Sequence, residues 1–284
     1  MSKIIAIGSA LPDYKHYQRD ILQFMLEVYN AAPEDTRKIT HLYERGGIDT
    51  RYSVIPDYSL PINSRQFYPA TKNLEPFPML EKRMEWYHRH AGPLAIQAIR
   101  NCVGSHFETA AVTHLITVSC TGMSAPGLDI SILQEMRLSP ALHRTSVNFM
   151  GCYAAIHALK MADYICRSDA EAKVLIVCVE LCTLHFQKEF EMDSITAGLL
   201  FSDGAAAALV TGDKYPRKGI GICNFYAEVA LQGKADMAWQ LSAKGFLMTL
   251  SAYIPQMIRE GIEPLLKKSL NALSIRKEDI HYWA

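Results

Sequence analysis

Hydrophobic residues in this chain fall either into short unbroken runs or into stripes spaced three and four apart. The first pattern marks strands buried on both faces, and the second marks helices laid against them. The opening run KIIAIGSALP (3–12) ends in glycine and proline, which predicts a buried strand leading into a loop. Residues 21–29 carry helical spacing, and 31–52 are charged, with Arg37, Lys38, His41, Glu44, Arg45 and Arg51 set among Ile39 and Leu42. Pro56, Pro61, Pro69, Pro76 and Pro78 all fall in 53–78, which predicts an extended loop over the surface. Helical periodicity returns over 83–102, where Ala91, Leu94, Ala95, Ala98 and Ile99 share one stripe.

Further on, THLITVSCTG (113–122) predicts a strand, SAPG (124–127) a turn and 128–136 a helix. A short strand over 145–149 runs into a helix around Cys152, and KVLIVCVEL (173–181) is the clearest buried strand. A helix over 195–200 and a strand within FSDGAAAALVTG (201–212) follow. From Gly219 a new strand region (GIGICNFYAEVALQ) leads to a helix over 250–273, then to DIHYWA, which reads as the opening of another strand. Strands alternating with helices predict an α/β domain with helices covering a sheet.

Composition narrows the class. With 49% hydrophobic and 20% charged residues, the 284-residue chain is balanced like a soluble globular protein with one large core or two smaller ones. Lys+Arg and Asp+Glu are equal at 29, so no net field favours nucleic acid or an anionic membrane, and any anion site must be local. The N-terminal apolar run is too short for a signal peptide, and no segment reaches the length of a membrane span. Seven cysteines without a CxxC pair argue against a disulfide framework or a structural zinc site. A reducing, cytoplasmic setting is expected, and nothing calls for a metal, flavin or nicotinamide.

The stretch NFMGCYAAIHAL (148–159) carries candidate chemistry. Cys152 sits between a glycine and small residues, where a strand is predicted to turn into a helix. Glycine permits a tight approach, and the free N–H groups of a helix start stabilise a thiolate. Small residues behind the thiol leave room for an acyl group. The alternative is a buried cysteine packed as a small hydrophobe.

Several motifs occur in a fixed order around it: VSCTGMSAPGLD, NFMGCYAAIHAL, KVLIVCVEL, ITAGLLFSDGAAAALVTGD and GFLMTLSAYIP, with IAIGSALP near the start and Arg51-Tyr52 between. In these motifs the chain resembles the type III, chalcone-synthase-like polyketide synthases of the thiolase-fold condensing enzymes over most of its length. The resemblance implies an α/β, thiolase-like fold of two similar βαβαβ-type halves stacked in five layers, usually as a homodimer. Residues 1–217 would form the first half and 218–284 the start of an incomplete second. It implies a ping-pong reaction in which Cys152 takes an acyl group from acyl-CoA and malonyl-CoA is then decarboxylated and condensed with it. A histidine and an asparagine complete the family's site, activating the thiol and polarising the thioester.

Carried over residue by residue, Phe201 lines the mouth between CoA tunnel and cavity, and His185 falls at a cavity-lining position. Lys38, His41 and Arg45 match the basic residues that hold CoA phosphates, against the alternative of a solvated helix face. Met248 stands where plant members carry a second gatekeeping phenylalanine, and Ala125 where they carry a methionine that reaches across the dimer. Trp239 falls where they have a glycine in the cavity wall, which favours a shorter product or a differently shaped starter. A bacterial-type enzyme with another acyl starter is therefore expected, rather than one forming chalcone.

In the family the catalytic histidine belongs to a W-x-x-His-Pro-Gly-Gly pattern, and this chain ends Tyr282-Trp283-Ala284, two residues before it. The expectation is a truncated chain, lacking about 60 to 80 residues and the second half's last two or three strands, with strand edges and apolar surface left bare. His157 lies five positions past Cys152, well around the helix, whereas His185 could approach the thiol. Two other readings stand beside this one. One is a ketoacyl synthase III-like enzyme using an acyl carrier protein; the other is a catalytically impaired fragment or paralogue acting by binding or dimerisation.

Overall fold

The computed structural model describes residues 1–104 and 107–283. In chain order the elements are β1 (Ser2–Ala10), β2 (Tyr14–Tyr17), α1 (Gln18–Tyr29), α2 (Pro33–Arg45), β3 (Thr50–Ser53) and α3 (Leu80–Val103). Then come β4 (His114–Ser119), α4 (Leu128–Glu135), β5 (His143–Asn148), α5 (Ala154–Ser168), β6 (Lys173–Leu181), α6 (Met192–Leu200) and β7 (Asp203–Gly212). The remainder holds β8 (Ile220–Ile222), β9 (Met237–Ser242), β10 (Gly245–Leu250) and α7 (Ile254–Leu273).

A mixed sheet in the order β5-β4-β6-β7-β1-β8 forms the centre. β4 runs parallel to β5 and β6, whereas β7 is antiparallel to both β6 and β1. The β6 run is apolar on both faces because both faces are covered. Leu175, Val177, Val179 and Leu181 join the core that includes Ala91, Ala95, Ala98 and Ile99 of α3. Val174 and Ile176 point the other way, into a second core with Ala154, Ala158 and Ala162 of α5. One strand thus glues a helix to each side of the sheet. β1 approaches α3 so closely that a Cβ on Gly8 would lie 2.6 Å from the Asn101 carbonyl carbon and nearer still to the Cys102 nitrogen.

The proline-rich segment 53–78 is not the surface loop its composition predicts. Val54, Ile55, Tyr58, Phe67, Tyr68, Leu74 and Phe77 are buried in it. The Asp57 carboxylate, 0% exposed, accepts the backbone N–H groups of Gln66, Phe67 and Tyr68 at 2.7–3.0 Å. Prolines report the loss of a regular ladder; a buried acceptor that satisfies the loop's amides lets that irregular backbone leave water.

The region after Gly219 also differs. The predicted strand region contracts to β8, which pairs antiparallel with β1, and 223–230 has no regular structure. GFLMTL, placed by pattern partly at the start of a helix, is β10, hairpinned to β9. α7 has no buried residue, and residues 280–283 form no strand. Among the described residues no helix is long and apolar enough to cross a membrane.

Candidate active site

Cys152 stands at the junction of β5 and α5. The chain leaves β5 at Asn148, turns through Phe149 and Gly151 with φ of 57° and 66°, and passes a 3-10 turn (Gly151–Tyr153) into α5. No atom lies within 4 Å of a Cβ built on Gly151, so the left-handed backbone rather than crowding calls for glycine there. The Cys152 thiol is exposed, which overturns the alternative of a buried, packed cysteine. The turn is tied to the neighbouring hairpin: Phe149 meets Phe246 of β10 edge-on at 5.2 Å.

A pocket lies between the chain just after β6, α6 and the β9–β10 hairpin. The structure brings Phe201, His185, Trp239 and Met248 together on its wall, with Met25, Arg51, Tyr58, Cys182, Thr183, Phe186 and Gln187. Trp239 and Met248 face each other in register across β9 and β10. Phe201 follows the last turn of α6, and His185 closes the 3-10 turn after β6. Cys152 is not among the lining residues, and neither is any of the three candidate CoA-binding residues.

His185 is locked in place. Its Nδ1 accepts the Phe246 N–H at 3.1 Å, so its Nε2 carries the proton and donates to the Thr121 carbonyl at 2.7 Å. The ring stacks on Phe246 at 4.3 Å and meets Trp239 edge-on at 5.6 Å. Burial pushes its pKa down to about 3. With both nitrogens spent, His185 is a neutral wall residue; the expectation that it could serve Cys152 fails for that reason. Trp239 is similarly fixed, its Nε1–H donating to the Cys120 carbonyl at 2.6 Å.

Buried acids brace the cavity. Glu180, at the end of β6, accepts the Cys120 N–H at 2.9 Å and the Thr121 hydroxyl at 2.7 Å, and burial raises its pKa to about 7. Asp203 accepts from the Thr183 hydroxyl at 2.6 Å and the Val54 N–H at 2.8 Å, and burial raises it to about 6. Cys182 is held as a thiol, its pKa pushed well up by burial and by Glu180. The Arg51 guanidinium is buried and binds the Gln18 side chain and the carbonyls of Gly198 and Phe201, fastening the end of α6. The sequence offered Arg51 only as one of a run of charges and within a motif, and gave no role to Glu180, Cys182 or Gln187. Their signal was their crowding at the end of one buried strand, where polar residues replace an apolar run.

Lys38, His41 and Arg45 lie exposed along α2. Lys38 is held by Glu34 at 3.0 Å and Asp35 at 3.4 Å, and those carboxylates raise its pKa. The end of α2 does reach the cavity's outer wall, since a Cβ on Gly46 would touch Leu199 of α6 at 3.2 Å.

A mixed sheet clad by helices on both faces, with a cysteine at a strand-to-helix turn beside a cavity, defines a thiolase-like α/β protein. Residues 1–214 match the family of chalcone and stilbene synthases, N-terminal domain, and the chain belongs to that family. It is 27% identical over 272 residues to the alpha-pyrone synthesis polyketide synthase-like Pks18 of Mycobacterium tuberculosis, covering 94% of this chain and 67% of that one. A putative chalcone synthase of Bacillus subtilis is 26% identical over 294 residues, covering 99% and 76%. In fold it is similar to PKS-I from the brown alga Ectocarpus siliculosus, with a TM-score of 0.90 at 23% identity over 99% of this chain and 76% of that one.

Proposed function

We propose that the chain is an acyltransferase of the type III polyketide synthase kind, loading an acyl group from acyl-CoA onto Cys152. The Cys152 thiolate attacks the thioester carbonyl, the carbon–sulfur bond to CoA breaks, and the CoA thiolate leaves. Malonyl-CoA then loses CO2, and the resulting carbanion attacks the acyl carbonyl and releases the Cys152 thiolate. The observation that carries this reading is the exposed Cys152 thiol at the glycine-pivoted turn opening α5, in a chain whose residues 1–214 match the family.

The acyl group would enter the cavity walled by Phe201, Met248, His185 and Trp239. Lys38, His41 and Arg45 would take the CoA phosphates, Lys38 exchanging its two carboxylate partners for phosphate oxygens. Residues 218–284 would begin a second thiolase-like half, in keeping with a family match that stops at residue 214. A cytoplasmic setting and the absence of any required cofactor belong to the same reading. His185 supplies no base, so loading is the half-reaction these residues support, and condensation by them alone is expected to be slow.

A homodimer is the other part of the proposal. Met123, Phe149, Met150, Tyr153 and Ile156 are exposed around the Cys152 turn, an apolar face of the kind that protein partners cover.

Incubation with a set of acyl-CoAs, followed by mass analysis of the peptide carrying Cys152, tests the chemistry. An acyl adduct on that peptide, lost in Cys152→Ser, is the expected result. An adduct that survives the substitution, or that resides on Cys182, overturns the nucleophile assignment. Brisk CO2 release from malonyl-CoA by the same chain overturns the expectation that condensation by these residues is slow.

A further inference from the structure

The turn that presents Cys152 is unfavourable for its own sequence. Phe149 holds φ at 57°, a left-handed conformation that a bulky side chain adopts only under constraint from its surroundings. The ring of Phe149 meets the ring of Phe246 edge-on, at 5.2 Å and 63°. That is a favoured arrangement for two aromatic side chains, and it holds Phe149 from outside the turn.

Phe246 is itself fixed on several sides, and it is only 1% exposed. Its N–H donates to His185 Nδ1 at 3.1 Å, and its ring stacks on the His185 imidazole at 4.3 Å and 8°. Trp239 meets the same ring edge-on at 6.0 Å. Gly245, just before it, has a φ of 113°, and a Cβ there would lie 2.8 Å from Arg83 Cδ and 3.2 Å from His185 Nδ1. Glycine at 245 is what lets the Phe246 N–H reach the histidine.

His185 and Trp239 belong to the pocket wall, whereas Phe246 is not among the lining residues. Phe246 therefore stands between the wall and the turn, in contact with both. The two are close in space. Cys182, on the wall, has its pKa pushed well up, chiefly by burial and then by Glu180, Asp203 and Cys152.

We infer that Phe246 is a positioning residue for the nucleophile: through its edge contact with Phe149 it fixes the turn that aims Cys152 at the pocket. This rests on the reading of Cys152 as the acyl-accepting thiol. A thiol held off its line of attack loses rate without losing substrate affinity.

The test follows loading of Cys152 by mass over a range of thioester concentrations, with acetyl-, hexanoyl- and benzoyl-CoA as donors. Alkylation of the same thiol by iodoacetamide runs beside it. Phe149→Leu removes the ring yet suits the left-handed backbone no better than phenylalanine, and its half-exposed site spares the core. Phe149→Tyr keeps the ring and turns its hydroxyl to water. Phe246→Leu removes the same contact from the buried side and leaves the exposed face as it was.

With the thioester that loads fastest, both leucine variants should load about tenfold more slowly at saturation. The half-saturating concentration for Phe149→Leu should change less than about twofold, and Phe149→Tyr should load within about twofold of wild type. The double variant should be no slower than the slower single one, because both changes remove one contact. Alkylation needs only an exposed thiol and should stay within about twofold throughout. Loading by Phe149→Leu at the wild-type rate overturns the inference, as does a double variant in which the two losses multiply, or an equal fall in alkylation. Where Phe246→Leu folds poorly, the leucine and tyrosine variants at 149 decide. A wild-type protein that is alkylated at Cys152 but loaded by none of the three thioesters overturns the acyl reading itself, and this inference with it.

Discussion

Burial shifts His185 and Glu180 toward their neutral forms, but they pull on stability in opposite directions as pH changes. His185 titrates at about 3 in the fold against 6.5 when exposed, so between those values the unfolded chain binds a proton that the folded chain refuses. Its contribution is therefore complete above pH 6.5 and is lost as pH falls. Glu180 titrates at about 7 against 4.5, so the folded chain keeps a proton that the unfolded chain gives up. That contribution is complete below pH 4.5 and is lost as pH rises through 7. Glu180→Gln stays neutral throughout. Relative to wild type, the variant should therefore gain up to about 3 kcal/mol between pH 5 and pH 8. Melting curves of the two proteins at both values check this; a constant difference in melting temperature would show that Glu180 is ionised in the fold throughout.

Among the elements, two contacts set the geometry around the cavity. α3 lies on β1 with backbone nearly touching backbone at Gly8, and the atoms a methyl would meet are main chain. Gly8→Ala must part the helix from the strand, at a cost of about 3 kcal/mol or more. Urea unfolding measures that cost, and a variant as stable as wild type would contradict the close approach. The end of α6 depends on Arg51, whose guanidinium reaches the Gly198 and Phe201 carbonyls while Gln18 holds its Nε at 2.9 Å and the Leu199 carbonyl at 3.1 Å. Arg51→Met leaves two helix-end carbonyls unpaired and should cost about 2–4 kcal/mol by the same assay. Arg51→Lys should recover only part of it, because an ammonium lacks the planar fork that serves three acceptors at once. Full recovery by lysine would mean that charge alone matters there.

For the whole molecule, the covered and uncovered faces differ sharply. The central sheet is closed by α3 on one side and α5 on the other, yet α5 also shows Ile156 to solvent beside Phe149, Met150 and Tyr153. The proposed homodimer would bury that face. Light scattering should give twice the mass of one chain, and Ile156→Glu should shift the protein toward the monomer, since a carboxylate is costly to bury unpaired. A wild-type monomer at micromolar concentration would remove the dimer from the proposed function. α7 is exposed as well, with Ile258 and Ile262 open to solvent.

By itself the sequence determined the local elements of residues 80–212, the class of fold and the ordered motifs of the family. Runs such as KVLIVCVEL and the stripe through Ala95, Ala98 and Ile99 specify strand and helix because side-chain spacing must match the face being buried. It also singled out Cys152, Phe201, His185, Trp239 and Met248. Contacts between distant segments decided the rest. Burial of 53–78 required Asp57 to meet amides from 9 to 11 residues away. The β9–β10 hairpin formed over 237–250, where the pattern named no element before a helix starting at residue 250. His185 could be read as a base until Phe246 and Thr121, 61 and 64 residues away in the chain, occupied its two nitrogens. Periodicity reports which face of an element is apolar; only the folded chain decides which polar atoms still lack a partner.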